Sequence, residues 1–157
     1  MNKNLFILFG ILFSNFCFAQ NLFNTEKSDT TNIYRNALAI YCNAIQKNNG
    51  NNKVIYVEPN YLLTDSLPKQ INNIEIQYPD YIQLKKIIKT HGGHITLVRI
   101  IPLKVSNNDF SVSLIPFYTT YKRKRFDLRN GGGLTVFYKF DSEQNGLVYA
   151  KHKFGGI

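Results

Sequence analysis

The sequence predicts an α+β domain: two helices packed on one face of a mainly antiparallel, curved sheet of about five to six strands, ending in a four-strand meander. Three observations carry this expectation. Apolar residues recur at helical spacing in two stretches only, around residues 33–45 and 81–88. The last third of the chain alternates apolar and polar residues over strand-length runs. Asn, Asp and Gly cluster between those runs, where tight turns must form.

The elements follow in order. Ile33, Tyr34, Ala37, Leu38, Ile40, Tyr41, Ala44 and Ile45 form one apolar stripe, so the first helix begins just after Asp29, Thr30 or Thr31, any of which can cap it. Asn48-Asn49-Gly50-Asn51-Asn52 stops it. The β-branched and aromatic run Lys53–Glu58 reads as a strand closed by Pro59, and Asn60–Gln70 as a loop with room for one short helix from Asp65 or Ser66. Ile74-Glu75-Ile76-Gln77-Tyr78 alternates, which suits a strand with one wet face.

Pro79 suits the first position of the second helix, and Asp80 suits its positive end. Tyr81, Leu84, Ile87 and Ile88 give that helix its buried stripe, Lys85, Lys86, Lys89 and His91 favour its negative end, and Gly92-Gly93 stops it. The meander comprises Ile95–Val105, Phe110–Tyr121, Leu134–Phe140 and Leu147–Lys153, with Pro102 and Pro116 marking bulges or edges. Arg99 shares a strand face with Ile95, Leu97, Ile101 and Leu103; either a bulge near Pro102 turns it outward, the preferred reading, or it needs an acidic partner. In element order alone the chain resembles cystatin-like and cone-shaped nuclear-transport-factor-like folds. No residue motif carries that resemblance, and it implies no function.

The first nineteen residues predict export. One charge at Lys3 precedes the apolar run Leu5–Phe13, and the small residues Cys17 and Ala19 stand third and first before a cut between Ala19 and Gln20. The run is shorter than the roughly 20 residues a membrane span requires. Acylation at Cys17 is disfavoured by Phe16 and Ser14 in front of it. The domain organisation expected is therefore a signal peptide over 1–19, a flexible polar segment over 20–31 and one α+β domain over 32–157. After cleavage the protein would be periplasmic or secreted, without a transmembrane segment. Cys42 is then the sole cysteine, so no internal disulfide can form. A small, half-buried hydrophobe is the preferred reading of Cys42 over an accessible thiol or an intermolecular bridge.

Charge is placed unevenly. Residues 20–84 hold five Lys/Arg and six Asp/Glu, whereas residues 85–157 hold thirteen against four, a net of +9. Such a half attracts anions. Outside the cytoplasm these are phospholipid or lipopolysaccharide head groups, acidic glycans or an acidic protein; nucleic acid is not expected as a partner. The densest cluster is Lys122, Arg123, Lys124 and Arg125, extended by Arg129, with aromatic residues on either side. It reads either as a solvated connection or as a grip on phosphate or carboxylate. Strand alternation would divide the four between two faces, so a single patch requires a loop there.

Other constellations are weaker. Arg129-Asn130-Gly131-Gly132-Gly133 lacks the lysine, hydroxyl and helix that follow a phosphate loop, so a turn or bulge is the plainer reading. His91 and His94, with His152, could hold a metal, but a helix stop explains the pair as well. The carboxylates stand mostly at turns and caps, and Ser66 and Ser142 lack nucleophile-elbow glycines. No cofactor and no catalytic residue is implied. A non-enzymatic binding protein with a basic C-terminal surface leads, ahead of an inhibitor or immunity-type partner of an exported enzyme. A small-ligand or enzymatic cone-like domain, its cavity lined by Tyr34, Tyr41, Tyr56, Tyr61 and Tyr78, is the third alternative.

Overall fold

A computed structural model describes residues 32–48, 54–107 and 109–155. The signal-peptide and N-terminal-segment expectations lie outside these residues. The element order is α1 (Ile33–Asn48), β1 (Val54–Val57), β2 (Gln70–Ile71), β3 (Ile74–Gln77), α2 (Tyr81–Thr90), β4 (His94–Ser106), β5 (Asp109–Lys122), β6 (Arg125–Asn130), β7 (Gly133–Asp141) and β8 (Gly146–Gly155). The fold is α+β, but the sheet is an open mixed one of eight strands, more than the five to six expected, in the order β2-β3-β1-β4-β5-β7-β8 with β6 beside β5.

The extra strands are short or charged. β2 is two residues long, and β6 is Arg-Phe-Asp-Leu-Arg-Asn, with apolar residues only at Phe126 and Leu128. The N-terminal part is parallel: β1 runs parallel to both β3 and β4, so β3, α2 and β4 form a crossover around β1. That connection carries α2 to the opposite face of the sheet from α1, a correction to the single helical layer expected.

Two cores result. α1 buries Ala37, Leu38, Tyr41 and Cys42 against Ile55, Val57, Ile74, Ile76, Val98, Ile100, Val112, Leu114, Leu134, Val136 and Tyr138. α2 buries Leu84 and Ile88 against Ile95 and Leu97, with Tyr56, Tyr121, Phe126 and Leu128 at the margin. Alternation along β4 explains both, since Leu97 and Val98, adjacent in sequence, enter opposite cores. Cys42 is fully buried in the α1 core, deeper than the half-buried position expected.

The caps are local chemistry. Asn32 caps α1, its Oδ1 accepting from the amides of Tyr34 at 3.1 Å and Arg35 at 3.0 Å, while the proposed caps Asp29, Thr30 and Thr31 lie outside the described residues. Asp80, not Pro79, begins α2 through a reciprocal box, accepting from Gln83 N at 2.8 Å while Gln83 Oε1 accepts from Asp80 N at 3.0 Å. Gly92 and Gly93, with φ of 74° and 91°, reverse the chain, and Gly93 N donates to Ile88 O at 2.8 Å. Residues 61–66 form turns and no helix.

The long C-terminal strands are irregular where proline requires it. The β4–β5 register shifts between Ile101 and Lys104, around Pro102. Because that shift lies beyond Arg99, it does not turn the residue outward as expected. Arg99 finds the acidic partner instead: its Nε donates to Glu58 Oε2, its Nη2 donates to Oε1 at 3.0 Å, and the guanidinium lies 4.9 Å from the Phe117 ring centre. Opposite Pro116 the neighbouring strand breaks. β7 pairs with residues 110–114 of β5 and β6 with residues 117–122, so β6 and β7 are one strand interrupted at Gly131-Gly132. Pro116 O accepts from Gly131 N at 3.1 Å, and its missing N–H faces the same gap. Gly133 presses on β5 so closely that a Cβ would stand 2.8 Å from Leu114 O. The glycine run is therefore a strand break, and the four-strand meander is present with its third strand divided.

Several tyrosines bury their hydroxyls. Burial pushes Tyr41 up to about 12 and raises Tyr78 and Tyr138 well above the ordinary phenol value. Groups raised in the folded state stabilise below their unfolded pKa and lose that contribution as pH rises through the folded one. Stability is therefore expected to hold up to pH 10.0 and to fall between there and about 12, by about 2–3 kcal/mol from Tyr41 alone. Urea titrations across alkaline pH, with phenolate absorbance as the second probe, check this; a flat profile would contradict it.

Candidate functional site

The basic cluster lies in a hairpin. β5 and β6 pair with Tyr121 opposite Phe126 and Lys122 opposite Arg125, leaving Arg123 and Lys124 as the two turn residues. Only Arg123 and Lys124 lie in the loop that a single patch requires; Lys122 and Arg125 are strand-end residues paired with each other, on the face opposite Tyr121 and Phe126, and all four are exposed at the hairpin tip. None of the four forms an ion pair among the described residues.

The turn's backbone is unusual for its sequence. A two-residue hairpin loop of type I′ needs positive φ at both central positions, which favours Asn-Gly. Arg123 has φ 50° and Lys124 has φ 62°. Every other non-glycine residue at positive φ among the described residues is an asparagine: Asn72, Asn107 and Asn145. Left-handed backbone costs about 1–2 kcal/mol for a side chain with no local compensation. The tip carries its two cations against that cost.

Arg129 stands apart from the tip. It is four residues beyond Arg125 on the same strand face, with Asp127 between them, and its Nε donates to Asp127 Oδ2 at 3.3 Å. Its charge is therefore partly met.

The other face of the hairpin rests on α2. Tyr81 meets Phe126 edge-on with ring centres 5.0 Å apart, Tyr121 lies 5.0 Å from Phe126, and Lys85 Nζ sits 5.1 Å from the Tyr121 ring centre. A hydrogen bond with Tyr121 raises the Tyr81 pKa. Tyr81, assigned to the buried stripe by its spacing, is 58 % exposed, because only Leu84 and Ile88 of α2 reach the sheet fully. Tyr81, Ile82 and Lys85 are the neighbours that reading the cluster alone misses. One signal was present: Tyr121 and Phe126 are equidistant from Arg123-Lys124, the symmetry of a two-residue hairpin.

The remaining candidates do not converge. His91 Nδ1 lies 2.9 Å from Ile87 O and its Nε2 3.4 Å from Tyr56 Oη, which fixes it as the α2 cap. His94 stacks on Tyr118 at 4.9 Å, and His152 lies on β8, 2.7 Å from Tyr149 Oη. No group of three His, Cys, Asp or Glu side chains comes together among the described residues.

The five tyrosines proposed to line a cavity are dispersed. Tyr34 Oη accepts from Leu103 N, Tyr41 is in the α1 core, Tyr56 faces α2, Tyr61 is 78 % exposed, and Tyr78 Oη donates to Pro68 O. An open groove of about 560 Å³ does run between β3 and α2, lined by Lys69, Glu75, Gln77, Tyr78, Gln83 and Lys86. It offers polar contacts but no nucleophile paired with a base. No helix among the described residues is long and apolar enough to cross a membrane. Comparison with family models, curated proteins and solved structures finds no match to this chain.

Proposed function

We propose that this is an exported, non-enzymatic binding protein that engages an anionic partner through the β5–β6 hairpin. The observation that carries the reading is the Arg123-Lys124 turn: two cations occupy positions where asparagine and glycine relieve the backbone, at a tip whose four charges have no carboxylate partner among the described residues. Strain that persists at an exposed position points to a use for the side chains held there. The net charge of +9 over residues 85–157 adds long-range attraction. Export rests on the Lys3, Leu5–Phe13 and Cys17-to-Ala19 pattern.

The test is salt-dependent binding to anionic vesicles, a sulfated glycan and poly-glutamate. Changing Arg123, Lys124 and Arg125 together to Ser is expected to weaken the productive interaction by at least tenfold at low ionic strength, with the difference closing at high salt. Equal binding by the parent and triple variant at every salt concentration would remove the basis of the proposal.

A further inference from the structure

We infer that the anionic partner is a lipid bilayer surface, and that the corner formed by the β5–β6 tip and the first turn of α2 lies on it with Ile82 and Tyr81 entering the head-group layer. This rests on the anion-binding reading of the hairpin and names its partner. Ile82 is 77 % exposed and Tyr81 58 % exposed, side by side at the start of α2. The Tyr81–Phe126 contact joins them to the hairpin base, one pair from Lys122 and Arg125.

On the outer side of α2, Ile82 is followed at helical spacing by Lys86 and Lys89, both exposed, and Lys85 closes the gap to Tyr121. The corner thus combines five cations (Lys85, Lys86 and Lys89 on α2, Arg123 and Lys124 at the turn) with an aliphatic side chain and a phenol standing out in water, while Lys122 and Arg125, one pair along from Tyr121 and Phe126, project from the opposite face of the hairpin. Cations alone would suit any polyanion. A sulfated glycan or free phosphate has no apolar phase to receive Ile82, whereas the acyl boundary of a bilayer lies just beneath its phosphates. Tyrosine has the same preference for that boundary. Withdrawing an isoleucine from water strengthens binding roughly ten- to a hundredfold.

The chain contains no tryptophan, so Ile82→Trp supplies a single local reporter. Protein expressed from the full sequence is mixed with phosphatidylglycerol vesicles, phosphatidylcholine vesicles, a sulfated glycan and poly-glutamate. The N-terminal apolar run is common to all variants, so only differences between them count. The tryptophan emission is expected to shift to the blue and to be quenched by lipids brominated near the head group, with phosphatidylglycerol alone. Ile82→Asn, which leaves the charge unchanged, is expected to lose about tenfold or more in vesicle affinity while keeping polyanion binding within about twofold. Vesicle binding without a shift at position 82, or binding to the glycan or poly-glutamate in preference to vesicles, overturns the bilayer and leaves the basic hairpin as an anion site. Binding to none of the four overturns both.

Discussion

Replacing Arg123 with Asn and Lys124 with Gly is expected to make the protein more stable and a poorer binder at once. The two positions have φ of 50° and 62°, and relieving a left-handed backbone at both should raise the unfolding free energy by about 1–3 kcal/mol. The urea midpoint should move upward with an unchanged slope, since the native surface is the same. Removing two cations from an exposed tip should weaken attraction to an anionic surface by about 2 kcal/mol, roughly thirtyfold, and flatten its salt dependence. Opposite signs distinguish this pair from an ordinary surface change, which moves stability by about half a kcal/mol or less. A variant no more stable than the parent would show that the turn holds no strain; a variant that binds equally well would show that its cations are idle.

The second large effect is expected at Tyr138. It is fully buried on β7, and its hydroxyl lies 3.0 Å from both Ile33 O and Asn36 Oδ1, which share its one proton, tying the first turn of α1 to the sheet. Tyr138→Phe keeps the ring but withdraws that donor, for a loss of about 1–3 kcal/mol. Tyr138→Ala also empties the ring's volume and should cost about 3–5 kcal/mol. Burial raises the Tyr138 pKa, so the phenylalanine variant should also lose stability less steeply above pH 10.0. Equal urea midpoints for the parent and both variants would mean that α1 is held by something other than this contact.

Much of the fold was legible in the sequence because periodicity reports burial. The α1 stripe, the alternation in β3 and β7 and the proline positions each correspond to an observed element or irregularity. Which face of the sheet each helix covers was not legible. That depends on the parallel pairing of β1 with β3 and β4, and pairing partners leave little trace in a strand of four residues. β6 escaped because its residues are chiefly polar or charged, and its place comes from Phe126 and Leu128 reaching the smaller core. The asparagine-rich loops matched the positive-φ positions Asn72, Asn107 and Asn145, but that rule pointed away from Arg123 and Lys124. The candidate site was thus visible as composition, while its tight turn and its aromatic bed were properties of the tertiary arrangement.

The unequal division of the interior gives the two faces different tolerance of change. Among the described residues the apolar cluster on the α2 side has four buried members, Leu84, Ile88, Ile95 and Leu97, whereas the opposite cluster contains twenty. Residues on the α2 side share few partners with those under α1, so changes in the two layers should combine almost additively. The outer turn of α2 and the hairpin can then change while the larger layer keeps the chain folded. The two layers can diverge at separate rates.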